Sequence, residues 1–99
     1  MVPLNICVWY YYMKKMEKIL KALANSRRLA ILKFLKKNKE ASVNDISETI
    51  KLSFKATSKH LAILFQSNIL EREQKSFYGM YRLKEQQNPI TTYIISRLK

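Results

Sequence analysis

Lys55, Ser58 and Lys59 are the residues whose type and spacing best support chemistry toward a partner. They lie in the run Ser53-Phe54-Lys55-Ala56-Thr57-Ser58-Lys59-His60-Leu61-Ala62-Ile63-Leu64. At 100° per residue Thr57, Leu61 and Leu64 share one face, with Phe54 and Phe65 at its edge. Lys55, Lys59, Ala62 and Gln66 fall on the opposite face, with Ser58 beside them. Such a helix offers positive charge and hydrogen-bond donors without bulk. It can lie in the major groove of DNA and bring donors to phosphates and base edges. Phe54 suits either a thymine methyl or the core. No arrangement for catalysis accompanies these residues. There is no Ser/His/Asp set, Gly-rich phosphate loop or paired carboxylate, and His60 is the one histidine of the chain.

The rest of the composition agrees. The chain has 99 residues with 19 Lys and Arg against 7 Asp and Glu, a formal net charge of +12. The basic residues run from Lys14 to Lys99, so the charge belongs to a folded domain and not to a tail. That field favours nucleic acid or an anionic membrane surface. At 47% apolar residues the chain can fill a core. The single cysteine, Cys7, excludes an internal disulfide and fits a reducing compartment. No stretch approaches the ~20 apolar residues of a membrane span. The apolar run Ile6 to Met13 precedes lysines, the reverse of secretory order. A cytoplasmic protein with no membrane partner is expected.

The elements that position Lys55 and Lys59 follow from periodicity and caps. Ile6, Trp9, Met13, Met16, Leu20 and Leu23 keep heptad spacing along a first helix, although Val8 to Tyr12 has strand-like composition. Met13 or Met16 would serve equally well as the first residue. Asn25 or Ser26 caps a second helix through about Lys37, with Leu29, Ile31, Leu32, Phe34 and Leu35 on its core side. Asn38-Lys39-Glu40 is a polar break. Ser42 and Asp45 fit a capping box, with Asp45 reaching back, and open a short helix ending near Lys51. Leu52 leads directly to Ser53, the cap of the helix described first, and the gap of about three residues between the two helices is that of a helix-turn-helix turn. Asn68 suits the left-handed position at its end. Ile69 to Glu73 and Met80 to Leu83 then read as two strands of a hairpin with its tip around Gln74 to Tyr78. Gly79 invites a bulge or a close approach. Pro89 opens a last helix. The fold is therefore mainly α with a small hairpin, a winged helix-turn-helix. Residues 1–18 form an arm, 19–83 the winged core and 89–99 a last helix.

At this point the chain resembles the ArsR/SmtB family of winged-helix transcriptional repressors. The resemblance covers roughly residues 19–83. It rests on Leu20 to Leu32, similar to the family's LKALADPTRLRIL, on Ser42 to Glu48, on Ser53 to Leu70, and on Tyr81-Arg82-Leu83 closing the wing. It implies a homodimer on an imperfect palindrome of double-stranded DNA, with the first and last helices at the interface. The interface set is Trp9, Met13, Met16 and Leu20 with Ile90, Tyr93 and Ile94. Cys7 lies in the same arm and reads either as a packed thiol or as one that oxidises across the dimer. Arg72, Lys75 and Arg82 on the wing would hold phosphates or the flanking minor groove. Arg28 matches the family arginine near its helix start and reads as a structural or phosphate clamp.

The departures shape the expectation. Many members bind a soft metal through Cys-x-Cys at the start of the helix before the recognition helix. Ser42 and Asn44 stand there and supply no thiolate. Others bind zinc through the last helix, and residues 89–99 contain no Asp, Glu, His or Cys. No metal, cofactor or small-molecule ligand is expected. Thr57 replaces an apolar residue and is expected to bond back to helix carbonyls. The family's wing glycine aligns with Ser76. Two other classes compete: a winged-helix protein–protein adaptor, and a basic protein on a membrane surface anchored by Trp9 to Tyr12.

Overall fold

A computed structural model describes residues 4–99, with side chains from residue 7 onward. Ile6 of the heptad stripe and the first three residues of the arm lie outside that description. The chain forms α1 (Leu4–Leu23), α2 (Ser26–Asn38), β1 (Glu40–Ser42), α3 (Val43–Ile50), α4 (Phe54–Gln66), β2 (Leu70–Lys75), β3 (Tyr78–Leu83) and α5 (Pro89–Arg97). The strand-like stretch Val8 to Tyr12 is helical.

Side-chain caps set most boundaries. Asn25 Oδ1 accepts from Arg27 N and Arg28 N and starts α2. Ser42 Oγ accepts from Asp45 N at 3.2 Å, but Asp45 returns no bond among the described residues, so the expected capping box is half made. Ser53 Oγ accepts from Ala56 N at 3.1 Å and starts α4. At the end of α4, Asn68 takes φ 60. Its N–H reaches Phe65 O, and Ile69 N reaches Leu64 O. This pair of bonds is a Schellman closure.

The wing holds more than a hairpin. β1 pairs with β3 through Ala41↔Tyr81, giving a three-stranded antiparallel sheet in the order β1-β3-β2. The sequence reads Asn38-Lys39-Glu40 as a polar break and Ser42 as a helix cap. Backbone pairing makes Glu40–Ser42 a strand, with Ala41 turned into the core at 2% exposure. β2 and β3 pair without interruption from Leu70↔Leu83 to Lys75↔Tyr78. The tip is therefore Ser76-Phe77 alone, and Gly79 marks no bulge. It marks a close approach instead: a Cβ there would meet the Arg72 guanidinium.

Ile31, Leu32 and Leu35 of α2, Ile46 and Ile50 of α3, Leu61 and Leu64 of α4, and Ile69 and Leu70 form the core, closed by Ala22, Leu23 and Ala41. Of the residues expected on the core side of α2, Ile31, Leu32 and Leu35 are buried, while Leu29 and Phe34 are half-buried. The stripe on α5 also divides. Ile94 and Leu98 pack on the core together with Ile95, because α5 lies against α2, and Leu23 is buried likewise. Of the interface set expected above, Ile94 is thus spent on the core of its own chain.

Thr57 is fully buried, and its hydroxyl has no hydrogen-bond partner among the described residues. The carbonyl four residues back, Ser53 O, takes the Thr57 N–H at 2.9 Å. The expected back-bond is not made. An unpaired buried hydroxyl costs about 1–3 kcal/mol. Thr57→Val keeps the shape and removes the hydroxyl. It is expected to raise stability by about 1 kcal/mol, seen as a higher urea midpoint at unchanged slope. A lower midpoint would mean that the hydroxyl has a partner.

Candidate nucleic-acid interface

The helix-turn-helix is α3, the turn Lys51-Leu52-Ser53, and α4. The turn has no glycine, and Lys51 takes the left-handed conformation at φ 56. Leu52 N then closes on Ser47 O at 3.0 Å. Ile46 and Ile50 of α3 and Leu61 and Leu64 of α4 are buried together, which fixes how α4 is presented. Thr57, Leu61 and Leu64 face inward. Lys55, Lys59, Ala62 and Gln66 face solvent, Ser58 is half-buried between the two sides, and Phe54 is exposed at the start of the helix. The segregation expected from the sequence is thus present as a surface.

The wing cations are placed differently from one another. Residues 71, 73 and 75 of β2 share the outer sheet face with Arg82 and Glu40. Arg82 Nε donates to Glu71 at 2.6 Å and its Nη1 to Glu73 at 2.7 Å. Lys75 Nζ donates to Glu40 at 2.8 Å. Arg82 accordingly holds Glu73 below the ordinary carboxylate range, helped by Lys75. Glu40 raises the Lys75 ammonium above its ordinary value, and the two wing glutamates raise Arg82. Arg82 sits near the base of the wing, braced between strands, and not at its tip. Arg72 is on the other face, folded over Gly79 with its guanidinium 5.9 Å from the Tyr81 ring centroid. Its one side-chain partner among the described residues is Gln74, at 2.8 Å. Of the three wing cations singled out from the sequence, only Arg72 is free of a carboxylate among the described residues.

Three other basic residues serve the scaffold. Arg28 Nε and Nη2 donate to Ala22 O at 2.6 Å and Lys21 O at 3.0 Å, capping α1. Arg27 Nη1 donates to Ile50 O at 2.8 Å, capping α3. Lys36 Nζ donates to Ile95 O at 3.0 Å and Leu98 O at 2.9 Å, capping α5. All three come from α2 and meet the negative end of another helix. Arg27 and Lys36 were not singled out from the sequence. The only available signal was their register on α2. Arg28 is the structural clamp, and its Nη1 lies 3.2 Å from His60 Nδ1 on α4.

The proposed interface residues also divide. Trp9, Met13, Leu20 and Tyr93 are exposed, Met16 and Ile90 are half-buried, and Ile94 turns inward. Among the described residues no three His, Cys, Asp or Glu side chains converge as a metal site would need. No described helix is long and apolar enough to cross a membrane.

A helix-turn-helix followed by a three-stranded wing, with a cationic second helix facing out, defines the winged helix-turn-helix class of DNA-binding domain. Residues 25–72 match the family described as bacterial regulatory protein, arsR family. The chain is 32% identical over 96 residues to the transcriptional activator HlyU of Vibrio cholerae, covering 97% of this chain and 88% of that one. It is 31% identical over 75 residues to the arsenical resistance operon repressor of Bacillus subtilis, covering 76% and 71%. The structure of reduced HlyU from Vibrio cholerae superposes with a TM-score of 0.73 over 89% of this chain and 88% of that one, at 32% identity. The transcriptional repressor PagR of Bacillus anthracis gives 0.74 over 91% and 99%, at 28% identity. The chain belongs to the ArsR family of bacterial regulatory proteins: it is a DNA-binding transcriptional regulator, not an enzyme.

Proposed function

We propose that two copies of this chain bind one imperfect palindrome of double-stranded DNA and repress transcription by occupying it, in the cytoplasm and without a metal or other cofactor. The observation that carries this is the division of α4, with Thr57, Leu61 and Leu64 locked inside and Lys55 and Lys59 facing out. In this reading Lys55, Ser58 and Lys59 meet base edges and phosphates in the major groove, and Phe54 meets a thymine methyl. Arg72 and Lys75 supply affinity from the wing, and Arg82 braces it.

Pairing is supported by the exposed Trp9, Met13 and Leu20 on α1 and Tyr93 on α5. A shared two-fold contact would cover both sets and set the spacing of the two α4 helices. Metal independence is supported by Ser42 and Asn44 at the start of α3, where Ser42 is occupied as a helix cap. Among the relatives, the Bacillus subtilis protein and PagR are repressors by name and HlyU is an activator. Repression needs only occupancy of DNA, which the cationic face can provide.

Selection from random duplex DNA tests the reading. It should return a palindrome with half-sites about one helical turn, roughly 10 base pairs, apart. The complex should sediment with two chains per site, its affinity should fall steeply with salt, and micromolar zinc, cadmium or arsenite should leave that affinity unchanged. A single asymmetric half-site would remove the dimer, and no enrichment would remove sequence-specific binding.

A further inference from the structure

We propose that Phe77 is an apolar wedge that enters the minor groove beside the site read by α4 and opens a base step there. The inference rests on the placement of α4 in the major groove proposed above. Phe77 is 94% exposed. A single exposed apolar side chain is ordinary on a protein surface. One at the second position of a two-residue hairpin turn is not, because such turns favour Gly, Asn, Asp and Ser. Ser76 already takes the left-handed conformation there at φ 53. Tyr78, next to it, is also exposed, so the wing ends in two aromatic rings with water around them.

The hairpin behind them is built to hold that tip forward. It leaves the body at Leu70, which is buried, and runs five further paired positions to Lys75↔Tyr78. At ~3.3 Å per residue this is a reach of roughly 17–20 Å. Its stem is stiffened by a third strand and by the Arg82 and Lys75 bonds to Glu71, Glu73 and Glu40. Those three carboxylates are paired with Arg82 and Lys75 on the outer sheet face, so the flank of the wing offers phosphates little uncompensated positive charge. Residues 74–79 contain no acid, which leaves the tip as the part that can approach DNA. A phenyl ring can enter a minor groove about 6 Å wide. Apolar side chains inserted there unstack base steps and kink the duplex, most cheaply at flexible pyrimidine–purine steps.

The experiment uses the full chain and the duplex returned by selection, with 2-aminopurine at the flanking steps and a dye pair across the ends. Wild type should raise the 2-aminopurine signal at one flanking step per half-site and shorten the end-to-end distance. Phe77→Ala should lose both signals and bind about tenfold more weakly, with an unchanged urea midpoint because the ring packs on nothing. Phe77→Leu, still a wedge, should retain most of the bend. Wild-type bending and affinity in Phe77→Ala would overturn the proposal. So would tight wild-type binding to straight, fully stacked DNA, an outcome that leaves the α4 reading intact. A change in oligomeric state in Phe77→Ala, with bending preserved, would also overturn it by assigning the ring to a protein contact. Failure of wild type to bind any duplex would instead remove the reading on which the wedge rests.

Discussion

Replacing Lys55, Ser58 and Lys59 together by alanine is expected to bring operator affinity down to the level of random DNA, with folding unchanged. Each good base contact in a major groove discriminates by ~1–3 kcal/mol. Losing two or three of them removes roughly a thousandfold, at the low end of the usual gap between specific and non-specific binding. The outward position of both lysines makes the substitution benign to the core, since the buried side of α4 is Thr57, Leu61 and Leu64. Arg72→Ala provides the contrast. A wing cation that holds a phosphate contributes to every sequence alike, so its loss should flatten the salt dependence by about one unit and leave operator preference intact. Fluorescence anisotropy on operator and scrambled duplexes at several salt concentrations measures both. Wild-type operator preference in the triple variant would show that α4 does not read the site.

The elements were legible from the sequence because caps and periodicity are local. Asn25, Ser42, Ser53, Asn68 and Pro89 each mark a boundary with their own chemistry, and the structure uses all five. The inward side of α4 was legible for the same reason. β1 was hidden because Glu40-Ala41-Ser42 becomes a strand only through the carbonyls and amides of β3, 38 or more positions away in the register Ser42↔Met80. The destinations of the basic residues were hidden too. A net charge of +12 invites every lysine and arginine to be read as a phosphate ligand. Arg27, Arg28 and Lys36 instead close the carbonyl ends of α3, α1 and α5, and Arg82 is held by glutamates on the neighbouring strand. Each of these partners is tertiary, and no spacing rule within one helix or strand exposes it. The stripe on α5 misled in the same way. Ile90, Tyr93 and Ile94 were expected together at an interface, yet α5 packs on α2 with Ile94 against the core and Tyr93 outside.

Arg28→Ala should be the most destabilising change on α2 outside the apolar core, by about 2–4 kcal/mol. The last four carbonyls of a helix have no partner within it. In α1, Leu20 O takes Ala24 N and Leu23 O takes Asn25 N, both at 2.9 Å. Lys21 O and Ala22 O are left to the Arg28 guanidinium. Each charge-assisted bond contributes ~1.5–3 kcal/mol, and the partial exposure of the site puts the sum at the lower end. Lysine at this position keeps the charge but lacks the fork that spans two carbonyls, so Arg28→Lys should recover only part of the loss. His60 reports the same contact. For Nδ1 to accept from Arg28 the imidazole must be neutral, and a protonated ring would face a guanidinium. Burial first, then Arg28 and Arg27, hold its pKa below the ordinary 6.5. The unfolded chain therefore takes up this proton more readily than the folded one. The stability tied to neutral His60 is full above pH 6.5 and is lost as pH falls through the lower folded value. Because His60 is the only histidine, its ring resonance can be followed through a pH titration without assignment of the rest. In Arg28→Ala the pKa should rise part of the way toward 6.5, burial and Arg27 remaining, while the urea midpoint falls. An unmoved midpoint together with an unmoved His60 titration would show that Arg28 neither caps α1 nor touches α4.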